Sequence, residues 1–331
     1  MTSEIVQRNK RVVWEFWQHL NDCRPDEVGD VARRYVAADA SSHISHPVND
    51  LNGVDAVIEQ FWRPLRTAFP NLRRRTDLII GGHEHWVGAL GYFEGTFAQP
   101  WLGIPATGRP AGIRFGEFSA VYDDRIVLTY LILDVPDLLR QAGFELVRPG
   151  LGDEGPVPGP QTGDGVFFEE QDDAEGTRTL ATARTMCGVL NRAECRSYWT
   201  EDMKWYGPSG IGTTTGYDDF EAKHQGPFNH AFPGYSGTFG VHVVDVGEGR
   251  YAGWVGWPSI RALHSGVFLG YPPTGRTVEW RLMDFYRRQG DLIAENWVPV
   301  DLLHILLGMG VDVMAELNKE VKRRAAAAQL S

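Results

Sequence analysis

A chain of 331 residues with 43% hydrophobic and 11% aromatic residues reads as folded, and it has room for two domains of about 150 residues each. Its 43 acidic and 32 basic residues leave a formal charge of -11, and its basic runs, "RRR" at 73–75 and "KRR" at 322–324, are no longer than three residues, so neither nucleic acid nor an anionic membrane is an expected partner. No apolar run reaches the roughly 18 residues of a membrane span, "MTSEIVQRNKR" lacks a signal-peptide core, and Cys23, Cys187 and Cys195 lack metal-site spacing. The expectation is a cytoplasmic protein with reduced thiols and no metal or cofactor.

In chain order, the first element is an amphipathic helix carrying Ile5, Val6, Val12, Val13, Phe16, Trp17 and Leu20, followed by a second helical segment, "DEVGDVARRYV". "SHPVNDLNGVDAVIEQFWRPLRTAFPNL" then sets a glycine and an acidic residue before a short helix that a proline stops. From residue 74 the period becomes that of strands: "RRTDLIIGGHEHWVGALGYFEGTF", a "TGR" turn, then "EFSAVYDDRIVLTYLILD", closed by the apolar helix "PDLLRQAG". Residues 148–165, "RPGLGDEGPVPGPQTGDG", have no apolar period and read as an exposed connection.

Beyond that stretch the same order returns. Leu180, Ala183, Met186, Cys187 and Leu190 mark a helix and "AECRSYW" a shorter one. "YGPSGIGTTTGYDDFEAKHQGPFNHAFPGY" matches the first copy at Pro47/Pro208, Gly53/Gly216, Asp55/Asp218, Pro64/Pro227, Phe69/Phe232 and Pro70/Pro233. "FGVHVVDVGEGRYAGWVGWPSIRALHSGVF" and "DFYRRQGDLIAENWVPVD" supply strands, and "LLHILLGMG" the closing helix. Between the copies, "GIPATGRPAGIRFGEFS" (103–119) and "GYPPTGRTVEWRLMDFY" (270–286) agree without a gap at Gly103/Gly270, Pro105/Pro272, Thr107/Thr274, Gly108/Gly275, Arg109/Arg276, Arg114/Arg281 and Phe118/Phe285. Helices followed by a meander of antiparallel strands, given twice, predict an α+β protein of two tandem domains, 1–147 and 166–331, joined by a linker at 148–165.

"HSGVFLGYPPTGRTVEWRLMDFYRRQGDLIAENWVPVDLLHILLGMG" carries a GxPPTGR turn, a strand ending Asp-hydrophobic-Tyr-Arg, Glu-x-Trp and an LLxxLG helix. In these features it resembles the SnoaL-like polyketide cyclase (ester cyclase) family, whose fold is that of nuclear transport factor 2 and the cystatins. "EGTFAQPWLGIPATGRPAGIRFGEFSAVYDDRIVLTYLILDVPDLLRQAG" resembles it more weakly, reading as though four residues were inserted around Gln99 and Pro100. The resemblance implies two cones, each a curved antiparallel sheet wrapped around N-terminal helices and enclosing a small-molecule pocket. Packed sheet to sheet, they would form an internal pseudo-dimer, with homodimerisation also open. The implied activity is cofactor-independent acid/base chemistry of the isomerase, hydratase/dehydratase or cyclase type, on a small apolar or carbonyl-containing substrate. The alternative is a binding protein of the same fold that has lost the catalytic pair.

Asp284 is the leading candidate for a catalytic group. By period two it shares a strand face with Trp280, Leu282 and Tyr286, where desolvation would raise its pKa toward the range of a general acid or base. Glu117 is its counterpart in the first copy, flanked by Phe115 and Ser119. The resemblance places the family's catalytic histidine at Asp284 and its aspartate at Val298, and in the first copy at Glu117 and Leu131. Neither copy therefore carries that pair. His264, read opposite Phe93, is a further catalytic candidate; Trp280, Tyr286, Leu282, Val298, Phe115 and His46 are candidate substrate-binding residues. "HISHP" and "HEH" are not read as metal sites, because His83 and His85 fall in a hairpin turn and a third ligand is missing. Arg114 and Arg281, on the opposite strand face, are expected to bridge sheets or halves.

Overall fold

The computed structural model describes residues 4–235 and 242–329. Each half begins with helix. α1 (Glu4–Asp22) buries Val6, Val12, Val13, Phe16, Trp17 and Leu20 along one stripe, whereas Ile5, one position off the stripe, is exposed. α2 (Val28–Tyr35) follows and runs directly into strand β1 (Val36–Ile44), then β2 (Asn49–Asn52). Residues 54–68 form one helical rod, α3 (Val54–Val57) and α4 (Arg63–Ala68), interrupted by a π-helical turn at Ile58–Trp62. The meander β3 (Arg73–Gly82), β4 (Trp86–Thr96), β5 (Pro110–Tyr122) and β6 (Arg125–Leu133) ends at α5 (Val135–Gln141).

The second half repeats this with α6 (Asp173–Cys187), a 3-10 turn at Ala193–Tyr198, β7 (Trp199–Tyr206) and β8 (Thr213–Thr215). α7 (Tyr217–Phe220), a π-helical turn at Glu221–Gln225 and α8 (Gly226–Ala231) lead into β9 (Val244–Glu248), β10 (Tyr251–Leu263), β11 (Thr277–Gln289) and β12 (Leu292–Trp297). α9 (Leu302–Met309) closes the half, and α10 (Val313–Ala328) continues beyond it. Residues 239–241, read from sequence as the start of a strand run, lie outside the described residues.

The α+β class and the duplication stand, with one correction to the sheet. Each sheet has six strands, in the orders β2-β1-β6-β5-β4-β3 and β8-β7-β12-β11-β10-β9. Neither sheet is purely antiparallel, because β1 runs parallel to β6 and β7 parallel to β12. These two strands precede the helical rod, so the meander that follows closes beside them rather than folding back from them.

The concave face of each sheet wraps the helices. Their convex faces meet each other through a shared core that includes Leu78, Ile80, Phe118, Ile132, Val246, Met283, Phe285 and Trp297. The repeated phenylalanines Phe118 and Phe285 stack there at 5.2 Å. A Cβ on Gly88 would stand 2.8 Å from the Phe118 ring, so that glycine makes room for the contact. Polar ties cross the junction in pairs. Asp134 and Asp301 cap α5 and α9, accepting from the Asp137 and His304 backbone N–H groups. Each also accepts a backbone N–H from the opposite half, Ser209 at 2.8 Å and His46 at 3.0 Å. Arg114 bridges the halves as expected, donating to the Gly207 and Tyr206 carbonyls; Arg281 stays within its own half, over the Trp257 ring and near Asp301.

Residues 148–165 are not a loose tether. Although much of the stretch is exposed, it runs along the seam and bonds at Val157 to Tyr92, at Pro158 to Trp297, at Asp153 to Thr213 and at Gly165 to Ile79. Among the described residues no helix is long and apolar enough to cross a membrane.

Candidate active site

The repeated turn comes first because it fixes the register of everything downstream. Leu102, Gly103 and Gly108 in the first copy, and Leu269, Gly270 and Gly275 in the second, all take positive φ. Gly108 N–H donates to Phe97 O, and Gly275 N–H to His264 O. The counterpart of His264 is therefore Phe97, not Phe93, and no residues are inserted around Gln99 and Pro100. The length difference lies in the other copy: β10 carries a two-residue bulge between Gly256 and Ile260, while β4 pairs with β5 without a break. Bulges leave no mark in hydropathy, which is why the sequence reading misplaced this one.

The second half encloses a cavity of about 70 Å³, and β11 supplies its floor. Trp280, Leu282, Asp284 and Tyr286 line it along one strand face, as period two requires, with Val298 and Val300 beside them. The walls are rings and aliphatics, among them Trp199, Trp205, Phe220 and Phe228. Asp284 is buried and, among the described residues, has no cation beside it. Trp254 Nε1–H, directly across the ladder on β10, donates to Oδ2 at 2.8 Å; Asn296 Nδ2–H on β12 donates to Oδ1 at 3.1 Å; the Tyr286 hydroxyl is a third donor. Burial pushes the carboxyl up to about 6, against the pull of these three donors. Trp254 is held by the His242 ring, stacked at 4.8 Å, and Tyr286 hydroxyl lies 3.3 Å from Cys187 Sγ.

In the first half, side chains fill the space around the matching acid. Glu117 is buried and paired with the equally buried Arg74, Nη1 to Oε2 at 2.6 Å, and also accepts from Ser119 Oγ at 3.1 Å. The Arg74 guanidinium lies between the faces of Trp17 and Phe115, 4.2 and 4.1 Å from their centroids. Phe115 thus packs under an arginine beside Phe93 instead of lining a pocket. His264 is fully buried outside the cavity lining: its Nδ1 lies 3.1 Å from Thr274 Oγ1 in the turn, and its ring packs against Phe232. His46 is at the junction of the halves, its backbone tied to Asp301 and its imidazole pushed below its ordinary pKa by burial. His83 sits in the β3–β4 turn and His43 bonds Asp50.

Sequence reasoning missed Trp254, Asn296, Gln225 and His224. Asn296 was within reach, two residues before Val298 and so on the same strand face. His224 and Gln225 come from the π-helical turn, which a helical pattern does not announce.

The profile of SnoaL-like polyketide cyclases matches residues 11–142 and 181–307, more than half of the chain, so the chain belongs to the SnoaL-like polyketide cyclase family and carries two copies of its domain. Among solved structures it is similar to wild-type IdmH from Streptomyces antibioticus, with 22% identity over 41% of this chain and 98% of that one, at a TM-score of 0.36. A SnoaL-like protein from Jannaschia sp. CCS1 is 18% identical over 42% of this chain and 94% of its own, at a TM-score of 0.38. A SnoaL-like polyketide cyclase from Agrobacterium tumefaciens str. C58 is 16% identical over 39% and 94%, at 0.33. No curated protein is significantly similar to the chain.

Proposed function

We propose that the second half is a cofactor-independent acid/base enzyme domain in which Asp284 carries the proton, and that the first half is scaffold. The substrate class is a small, largely apolar molecule with an activated C–H beside a carbonyl, and the reaction an isomerisation, a hydration or dehydration, or a cyclisation. One observation carries this reading: a buried carboxyl with three neutral hydrogen-bond donors and no counter-ion, on the floor of a cavity walled by rings. Such a group, with its pKa near 6, is ionised at neutral pH and still basic enough to accept a proton in a dry site. In this reading His264, Phe115 and His46 are structural, a reading supported by the packing of His264 against Phe232 and of Phe115 under Arg74, and Glu117 is held by Arg74.

The test is proton exchange at carbon. A panel of enolisable cyclic ketones in D2O is expected to show exchange catalysed by the wild type, falling at least about 100-fold in Asp284→Asn, with kcat/KM rising through an apparent pKa near 6. Equal rates for wild type and Asp284→Asn would remove Asp284 from the chemistry. The binding-protein reading draws on Val298, which is apolar where the family carries its aspartate; it predicts saturable ligand binding in the cavity with no exchange.

A further inference from the structure

A lone carboxylate can take a proton from carbon, but the negative charge then collects on the carbonyl oxygen and needs a donor. The other polar side chains bordering the cavity are largely committed to protein partners. Asn296 and Tyr286 bond Asp284, and Gln225 donates to Asn229 and the Tyr235 hydroxyl. The indole N–H of Trp280 has no partner among the described residues, but it is shut away from the cavity surface.

His224 differs from all of these. It stands in the π-helical turn at Glu221–Gln225 and lines the same cavity as Asp284. Its ring lies flat on Trp205, with centroids 3.7 Å apart and planes 19° from parallel, and Phe220 and Phe228 flank it. It is half-buried and borders the cavity. Among the described residues nothing bonds its ring nitrogens. Through Pro64/Pro227 its counterpart in the filled half is Phe61, a fully buried hydrocarbon ring. A ring needed only as filler would have no cause to carry nitrogen in the hollow half.

We propose that His224 is the second catalytic residue of this cavity, acting as a neutral imidazole whose N–H donates to the carbonyl oxygen of the substrate. This rests on the acid/base reading above. Asp284 carboxylate takes the α-proton; the C–H electron pair becomes the carbon–carbon double bond of the enolate and the carbonyl π pair moves onto oxygen, where the His224 N–H meets it. Return of the proton from Asp284 to the same α-carbon gives exchange, and its delivery to the γ-carbon of a conjugated dienolate completes an isomerisation, in either case without oxidant or reductant. Burial supports the assignment, holding the imidazole uncharged at neutral pH, with its pKa down to about 3.

The experiment uses cyclobutanone labelled with carbon-13 at the carbonyl, a ketone small enough for a cavity of about 70 Å³, added to the full-length protein. Bound to the wild type, its carbonyl resonance is expected to move downfield, and its α-protons to exchange with D2O. His224→Phe keeps the stack on Trp205 and is expected to lose the downfield shift, with exchange kcat about 100-fold lower and KM within a few-fold. His224→Gln restores an N–H donor and is expected to recover part of the shift, and Asp284→Asn to keep the shift while losing exchange. An unchanged shift and exchange rate in His224→Phe would overturn the assignment. A shift that depends on His224, in a wild type that exchanges no protons, would overturn the acid/base reading and leave His224 as a ligand contact. A wild type that binds neither cyclobutanone nor any other ketone of the panel would overturn both.

Discussion

Folding strips water from Asp284 and gives it three neutral donors, whereas it brings Glu117 against an arginine. The two acids occupy one repeated position, so the difference comes from what faces them. For Asp284 the folded pKa of about 6 lies above the ordinary carboxylate value near 4, so between those values the folded chain binds more protons than the unfolded one. Stability from this group therefore declines as pH rises from about 4 to about 6. Asp284→Asn should raise stability by on the order of 2 kcal/mol at pH 7.5 and by little at pH 4, as urea denaturation at the two pH values would show. Glu117→Gln should act oppositely. It leaves the Arg74 guanidinium buried without its anion and should lower stability by about 3–5 kcal/mol. Exchange kinetics in the second cavity should not change, which separates Glu117 from the catalytic candidates.

Among the elements, the repeated turn is the clearest case of backbone demand. Gly275 has φ +68 and nothing within 4 Å of where a Cβ would stand, so a side chain there would meet strain without a clash. Gly275→Ala should cost about 1 kcal/mol, read as a fall in Tm with the ketone exchange rate at saturation kept. The strands of the meander were legible because runs of apolar and aromatic residues are set off by Gly- and Asp-containing turns. β1 and β7 were not: "VAADASSHI" and "WTEDMKWY" bury residues unevenly, at positions set by a neighbouring parallel strand and the helical rod. α10 was also unread. Only Val313 and Leu317 of its residues are buried, with Leu317 against the Gly103 turn and Arg324 over Phe144, so it is held by the first half rather than by an apolar stripe of its own.

At the scale of the molecule, the two sheets share one core and one buried polar network. Lys10 Nζ lies 2.9 Å from Glu248 Oε2, both side chains fully enclosed, while Gln7 and the Gly81 N–H also donate to that carboxylate. Halves joined in this way should unfold together. Phe285→Ala removes a ring from the centre of the junction and should cost about 3–5 kcal/mol. Circular dichroism and tryptophan fluorescence should still report a single coincident transition at a lower Tm. Two separated transitions would show that the junction contributes less than its burial indicates.

The duplication, the antiparallel strands of each meander, the turn glycines and the acid on the pocket face of β11 were determined by the sequence alone, because each depends on local pattern or on backbone geometry within a few residues. The tertiary structure alone decided that one cone is hollow and the other filled. Arg74 reaches Glu117 across 43 positions of chain, and the register that sets Trp254 opposite Asp284 spans 30. Contacts of that range leave no periodic trace, since the residues that make them are neighbours only after the sheet has closed around its helices.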